Sequence, residues 1–64
     1  MVKINGEEKN VAGMTLSEFL TMEKYNPQQI AVECNEEIVP KRQYETFILK
    51  ENDRLEIVRF VGGG

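Results

Sequence analysis

At 64 residues, with 8 Lys+Arg against 11 Asp+Glu and a net charge of -3, the chain is one small domain whose charge disfavours phosphate-rich partners such as nucleic acid. It has no histidine and a single cysteine, Cys34; that argues against self-contained catalysis, a disulfide or a multi-thiolate zinc site, so patterning or a partner must hold its core. No apolar run approaches the roughly 20 residues of a bilayer span, Met1 leads directly into a strand-like segment, and the lone thiol suits a reducing compartment, so the expected location is cytoplasmic with no membrane partner.

Val2 and Ile4 alternate with Lys3 and Asn5, the period of a half-buried strand, and Asn5-Gly6 is a strong signal for a tight hairpin. A second strand is expected through Glu8, Lys9, Asn10 and Val11, with a polarity that suits an edge, and Gly13 closes it. Thr15 followed by Glu18 forms a capping-box pattern, with Met14 placed to pack on Phe19. A helix should therefore start at Thr15, bury Leu16, Phe19 and Leu20 with Met22 at the margin, and stop near Tyr25 ahead of Pro27.

Ile30, Val32 and Cys34 share one face of the next alternating run, with Ala31 and Glu33 on the other. Asn35-Glu36 leads into Ile38 and Val39 as a hairpin, Pro40 ends that strand, and Lys41 to Glu45 should form an irregular or short helical turn. Phe47, Ile48 and Leu49 approach the polar turn Glu51-Asn52-Asp53, which opens the last strand. There Leu55 and Ile57 face one way while Glu56, Val58 and Phe60 face the other, so both faces carry apolar groups.

Strand, strand, helix, strand, strand, strand is the order of an α+β β-grasp (ubiquitin-like) fold, a mixed sheet of about four to five strands packed on one helix. The expected domain covers residues 1–60, with residues 61–64 expected to form a flexible C-terminal Gly tail. Gly62, Gly63 and Gly64 follow an apolar strand, and an arm without side chains can enter a channel that any Cβ would block. Such an arm can hold the Gly64 carboxylate roughly 13 Å clear of the sheet. A glycine end is ordinarily a frayed terminus. The fold pattern, the smallness and the lack of catalytic side chains together favour the arm.

The chain resembles the thiamine-biosynthesis sulfur carriers, the ThiS family, along its whole length. The resemblance is carried by Val2-Lys3-Ile4-Asn5-Gly6, by Thr15-Leu16 with Leu20, by Asn35 to Pro40 with Ile38-Val39-Pro40, by Asn52 through Val58, and by Phe60-Val61-Gly62-Gly63-Gly64. Many relatives carry alanine where Gly62 stands, a departure that leaves the chemistry of the terminus intact. The resemblance implies a protein co-substrate, not an enzyme, with no cofactor bound. In the family a ThiF-like adenylyltransferase uses ATP and magnesium to convert the terminal carboxylate, here that of Gly64, to an acyl adenylate. Sulfur from a cysteine desulfurase or another persulfide donor then yields a thiocarboxylate, which thiazole synthase consumes. Gly62 and Gly63 would give access. Val58 and Phe60 are the candidate docking residues, with Arg59 and Glu56 as charged rim contacts.

Cys34 shares the face of Ile30 and Val32 and is read as a small buried apolar residue, not a persulfide carrier. Lys41-Arg42 are assigned no role, and Tyr25 and Tyr44 are read as packing residues. Three alternatives stay open: a sulfur carrier serving molybdopterin or another metabolite, a non-covalent ubiquitin-like binding module, and a modifier joined to lysines through an isopeptide bond.

Overall fold

Residues Asn5 and Gly6 both take positive φ, 49° and 86°, as the two central positions of the tightest hairpin turn require. The computed structural model describes residues 1–60, and in it this turn joins β1 (Val2–Ile4) to β2 (Glu7–Lys9). With only two residues in the loop, Ile4 pairs with Glu7. The second strand therefore begins earlier than its polarity pattern suggests and ends at Lys9, which frees Val11 to turn into the core.

Helix α1 (Leu16–Met22) starts as expected. Thr15 is the N-cap: its Oγ1 accepts from the Glu18 N–H at 3.0 Å, and its own N–H donates to the Glu18 carboxylate at 2.9 Å. Leu16, Phe19 and Leu20 are fully buried. The C-terminus comes sooner than Pro27 would impose. Lys24 enters the left-handed region at φ 63°, the Tyr25 N–H donates to the Leu20 carbonyl, and the Lys24 N–H donates to the Thr21 carbonyl, the paired bonds of a Schellman ending. Met22, on the last turn, is left about half exposed at 51%.

A short 3₁₀ turn at Pro27–Gln29 leads into β3 (Ile30–Cys34), and Asn35 and Glu36, at φ 52° and 71°, turn the chain into β4 (Glu37–Ile38). A second 3₁₀ turn at Lys41–Gln43 follows Pro40, and β5 (Arg54–Arg59) closes the fold. The five-stranded sheet has the order β2-β1-β5-β3-β4, with β1 and β5 parallel and the other pairs antiparallel. One sheet face packs on α1, the two-layer β-grasp arrangement. The polar β2 is an edge strand, and the central β5 lies between the first strand of the chain and β3.

Candidate functional site

Strand β5 has a buried face, Leu55 and Ile57, and an open one carrying Glu56 and Val58. Pairing extends the open face across the sheet. Val58 lies opposite Ala31, Glu56 opposite Glu33, and Glu33 opposite Ile38 on β4. Ile38 at 74% and Val58 at 58% exposure are the two most open large apolar side chains among the described residues. No helix covers them.

At the end of β5 the chain is held on both sides. The Phe60 N–H donates to the Gln29 carbonyl at 2.9 Å, and Lys41 Nζ sits 5.6 Å from the centre of the Phe60 ring while donating to the Ile30 carbonyl at 3.2 Å. Both the ring contact and the hydrogen bond tie the 3₁₀ turn after Pro40 to the sheet. Arg59 turns the other way. It pairs with the buried Ile30 and its guanidinium lies 4.8 Å from the centre of the Tyr25 ring, so it is on the helix side and away from Glu56 and Val58. Gly62, Gly63 and Gly64 lie outside the described residues, as does the whole 61–64 tail.

Cys34 is buried beneath the β3–β4 turn. Burial, followed by the nearby Asp53 carboxylate, pushes its thiol up from 9.0 to about 11, so at neutral pH the sulfur stays protonated and is a poor nucleophile. Beside it, a depression of about 640 Å³ is bordered by Ile38, Phe47, Ile48, Lys50 and Asp53. Asp53 is engaged structurally: it accepts from the Asn35 side chain at 3.1 Å and from the Lys50 N–H at 2.9 Å. Among the described residues no group of three His, Cys, Asp or Glu side chains is placed to hold a metal, and no helix is long and apolar enough to cross a membrane.

Three residues at this face escaped the sequence reading. Ile38 and Val39 read together as one hairpin strand, yet Val39 is buried and Ile38 is open; a two-residue turn pairs Cys34 with Glu37, so Ile38 falls opposite the exposed Glu33 and Val39 opposite the buried Val32. Glu33 was on the correct face, but its facing of Glu56 depends on the register between distant strands. Lys41 carried no local sign of its contact with Phe60, 19 residues on.

The sequence model of the ThiS family matches residues 2–64. Among curated proteins, the chain is 47% identical over 62 residues to a thiazole synthase of Paramagnetospirillum magneticum, covering 95% of this chain and 19% of that protein. It is 39% identical over 64 residues to a thiazole synthase of Magnetococcus marinus, covering 98% of this chain and 20% of that protein. It thus spans about a fifth of the length of those relatives. Against the sulfur carrier protein ThiS of Bacillus subtilis it is 36% identical over 67 residues, with 100% of both chains covered. The crystal structure of the thiamine biosynthesis protein ThiS from Geobacter metallireducens superposes with a TM-score of 0.77 at 24% identity, covering 98% of this chain and 97% of that one, an agreement of fold. With the family matched over residues 2–64 and the Bacillus subtilis relative aligned from end to end, this chain belongs to the ThiS family.

Proposed function

We propose that this chain is a sulfur carrier of thiamine biosynthesis that works through the carboxylate of Gly64. The observation that supports the reading most is the family match, which runs through the glycines to residue 64 and is matched end to end by a protein named as a sulfur carrier. A bare carboxylate is a poor acyl donor because its leaving group would be an oxide. It needs activation, and the domain has no histidine and a Cys34 thiol that burial keeps protonated. Activation therefore falls to a partner, a ThiF-like adenylyltransferase using ATP and magnesium. The Gly64 carboxylate attacks the α-phosphorus of ATP, pyrophosphate leaves, and an acyl adenylate forms. A persulfide from a cysteine desulfurase or another donor attacks the acyl carbon and expels AMP, and cleavage of the resulting S–S bond by a thiol leaves the thiocarboxylate.

The acceptor in this reading is thiazole synthase, supported by the occurrence of the matching stretch within two proteins of that name. Gly62 and Gly63 give the arm access to a narrow channel. Glu56, Val58 and Phe60 serve docking from the open face, and Arg59 contributes from the helix side. The reading carries a cytoplasmic location with it, consistent with a single unpaired thiol.

Intact-mass measurement after incubation with ATP, magnesium, an adenylyltransferase and a persulfide donor tests the proposal. The chain should gain the mass difference between sulfur and oxygen, and a chain lacking Gly63 and Gly64 should gain nothing. Conjugates of higher mass would identify a modifier instead, and full partner activity of the truncated chain would identify a binding module; either result overturns the carrier reading.

A further inference from the structure

A strand end that faces solvent ordinarily frays, yet the last two described residues of this chain are each held by a cation on a ring. The Phe60 N–H bond to the Gln29 carbonyl lies one step past the Ile30–Arg59 pair that ends the β3–β5 ladder. Arg59 reaches the Tyr25 ring on the helix side, and Lys41 Nζ reaches the Phe60 ring from the 3₁₀ turn after Pro40. The same ammonium donates to the Ile30 carbonyl at 3.2 Å, so one side chain bridges the turn, the start of β3 and the end of β5. Lysine at an exposed turn is usually solvated, with its rotamers free. Lys41 is exposed and still makes two contacts, both at the point where the chain leaves the sheet.

Gly64 lies four residues beyond Phe60, within roughly 13 Å of it even at full extension. Release of Arg59 and Phe60 from the sheet would add roughly 7 Å of unanchored chain to that reach and enlarge the volume the carboxylate searches. Reacting atoms must meet within about 3–3.5 Å for a transfer step to proceed. We propose that Lys41 is a positioning residue for the adenylation of Gly64. By holding the Phe60 ring and the Ile30 carbonyl it fixes where the chain leaves the sheet, and so sets the fraction of docked molecules whose carboxylate oxygen attacks the α-phosphorus of ATP as pyrophosphate leaves. The inference rests on the carrier reading for the identity of the reacting group. It asks of Lys41 no contact with the partner and no part in the chemistry.

Two measurements on the full chain test this. Amide hydrogen exchange by NMR on the free chain reads the hold on β5. Exchange of labelled pyrophosphate into ATP by a purified ThiF-like adenylyltransferase, titrated with the chain, gives kcat and KM for adenylation. Lys41→Met keeps the stem and removes the cation. It should speed exchange of the Phe60 N–H by about 2- to 5-fold, the range an exposed cation–ring contact can exert, and leave exchange at Ile57 unchanged. It should lower kcat by a like factor, with KM within about two-fold of the parent. Lys41→Arg keeps a cation over the ring and should restore the parent values. In a Phe60→Leu chain, Lys41→Met should lower kcat less than it does in the parent, because the ring it acts on is gone. Arg42→Met, the same charge loss one residue on, is the control. A lower melting temperature with kcat unchanged would mark Lys41 as a stabilising contact only, and a raised KM that persists in the Phe60→Leu chain would mark it as a direct partner contact. Either result overturns the positioning role, and so does unchanged exchange at Phe60. A parent chain that is never adenylated refutes the carrier reading and the positioning role with it; the exchange data still report on the hold, so the two failures are told apart.

Discussion

Asn5 serves the fold twice at one turn, and the two contributions can be separated by substitution. Its backbone sits at φ 49°. Its side chain continues the β1–β5 ladder past the end of β1: Nδ2 donates to the Ile57 carbonyl at 3.2 Å, and Oδ1 accepts from the Ile57 N–H at 2.7 Å. Asn5→Ala removes both bonds, each worth about 1 kcal/mol net, and leaves a plain Cβ in the left-handed region, a further cost of about 1 kcal/mol. The expected loss is about 3 kcal/mol. Asn5→Gly loses the bonds but fits the backbone, so about 2 kcal/mol is expected; Asn5→Asp keeps the acceptor toward Ile57 and should lose about 1 kcal/mol. At roughly 0.05–0.15 kcal/mol per residue the whole domain has only about 3–10 kcal/mol of stability, so the Ala variant should be visibly close to unfolding. Urea titration followed by far-UV circular dichroism should give the order Asp, Gly, Ala for increasing loss. An Ala variant within about 0.5 kcal/mol of the parent would refute the bonding argument, and coincident Gly and Ala variants would refute the backbone argument.

Three further outcomes follow from the same structure. Thr15→Ala should cost about 1 kcal/mol by chemical denaturation, and adding Glu18→Ala should cost less than the sum of the single changes, because the two side chains complete one reciprocal cap. Phe19→Ala, at a position with no exposure, should cost about 3–5 kcal/mol, comparable to the total, and collapse the dispersion of the amide NMR spectrum; a dispersed native spectrum would show that the core tolerates the void. Stability should fall as the pH rises through the interval from 9.0 to about 11, because the folded Cys34 thiol keeps its proton there while the unfolded one releases it. Full development of that shift corresponds to about 2–3 kcal/mol, the buried Tyr44 phenol acts in the same direction, and Cys34→Ser should flatten the decline; a parent whose stability rises over that interval would contradict the assignment.

Local signals carried the helix start and the turns because their causes lie within a few residues. Thr15 and Glu18 satisfy each other's orphan amides one turn apart, and Asn5-Gly6 and Asn35-Glu36 reverse the chain in two residues each. The end of the helix is less legible. α1 stops at Met22 because Lys24 adopts a left-handed angle, a conformation for which lysine carries no propensity; the bonds from Lys24 and Tyr25 back into the helix stabilise it. The site was legible in alternation and obscure in register. Period two places Glu56 and Val58 on one face, whereas Arg59, read with Glu56 as a rim contact, lies on the other, against Tyr25. The facing of Glu33 and Glu56 and the contact of Lys41 with Phe60 depend on long-range pairing that no local window contains, whereas the exposure of Ile38 beside the buried Val39 follows from the local β3–β4 turn.

The topology also explains how the end of β5 is held in a domain this small. β5 is the central strand, bonded in parallel to the first strand of the chain and in antiparallel fashion to β3, and its last turn of backbone is tied by the Phe60 N–H to Gln29. A parallel pairing of the first and last strands closes nearly the whole chain into one loop, a long-range contact whose closure entropy the rest of the fold must offset. The end of β5 is therefore positioned by the cooperative structure as a whole, and a weakening substitution in the core should lower the fraction of folded molecules without moving the end of β5 in those that remain folded.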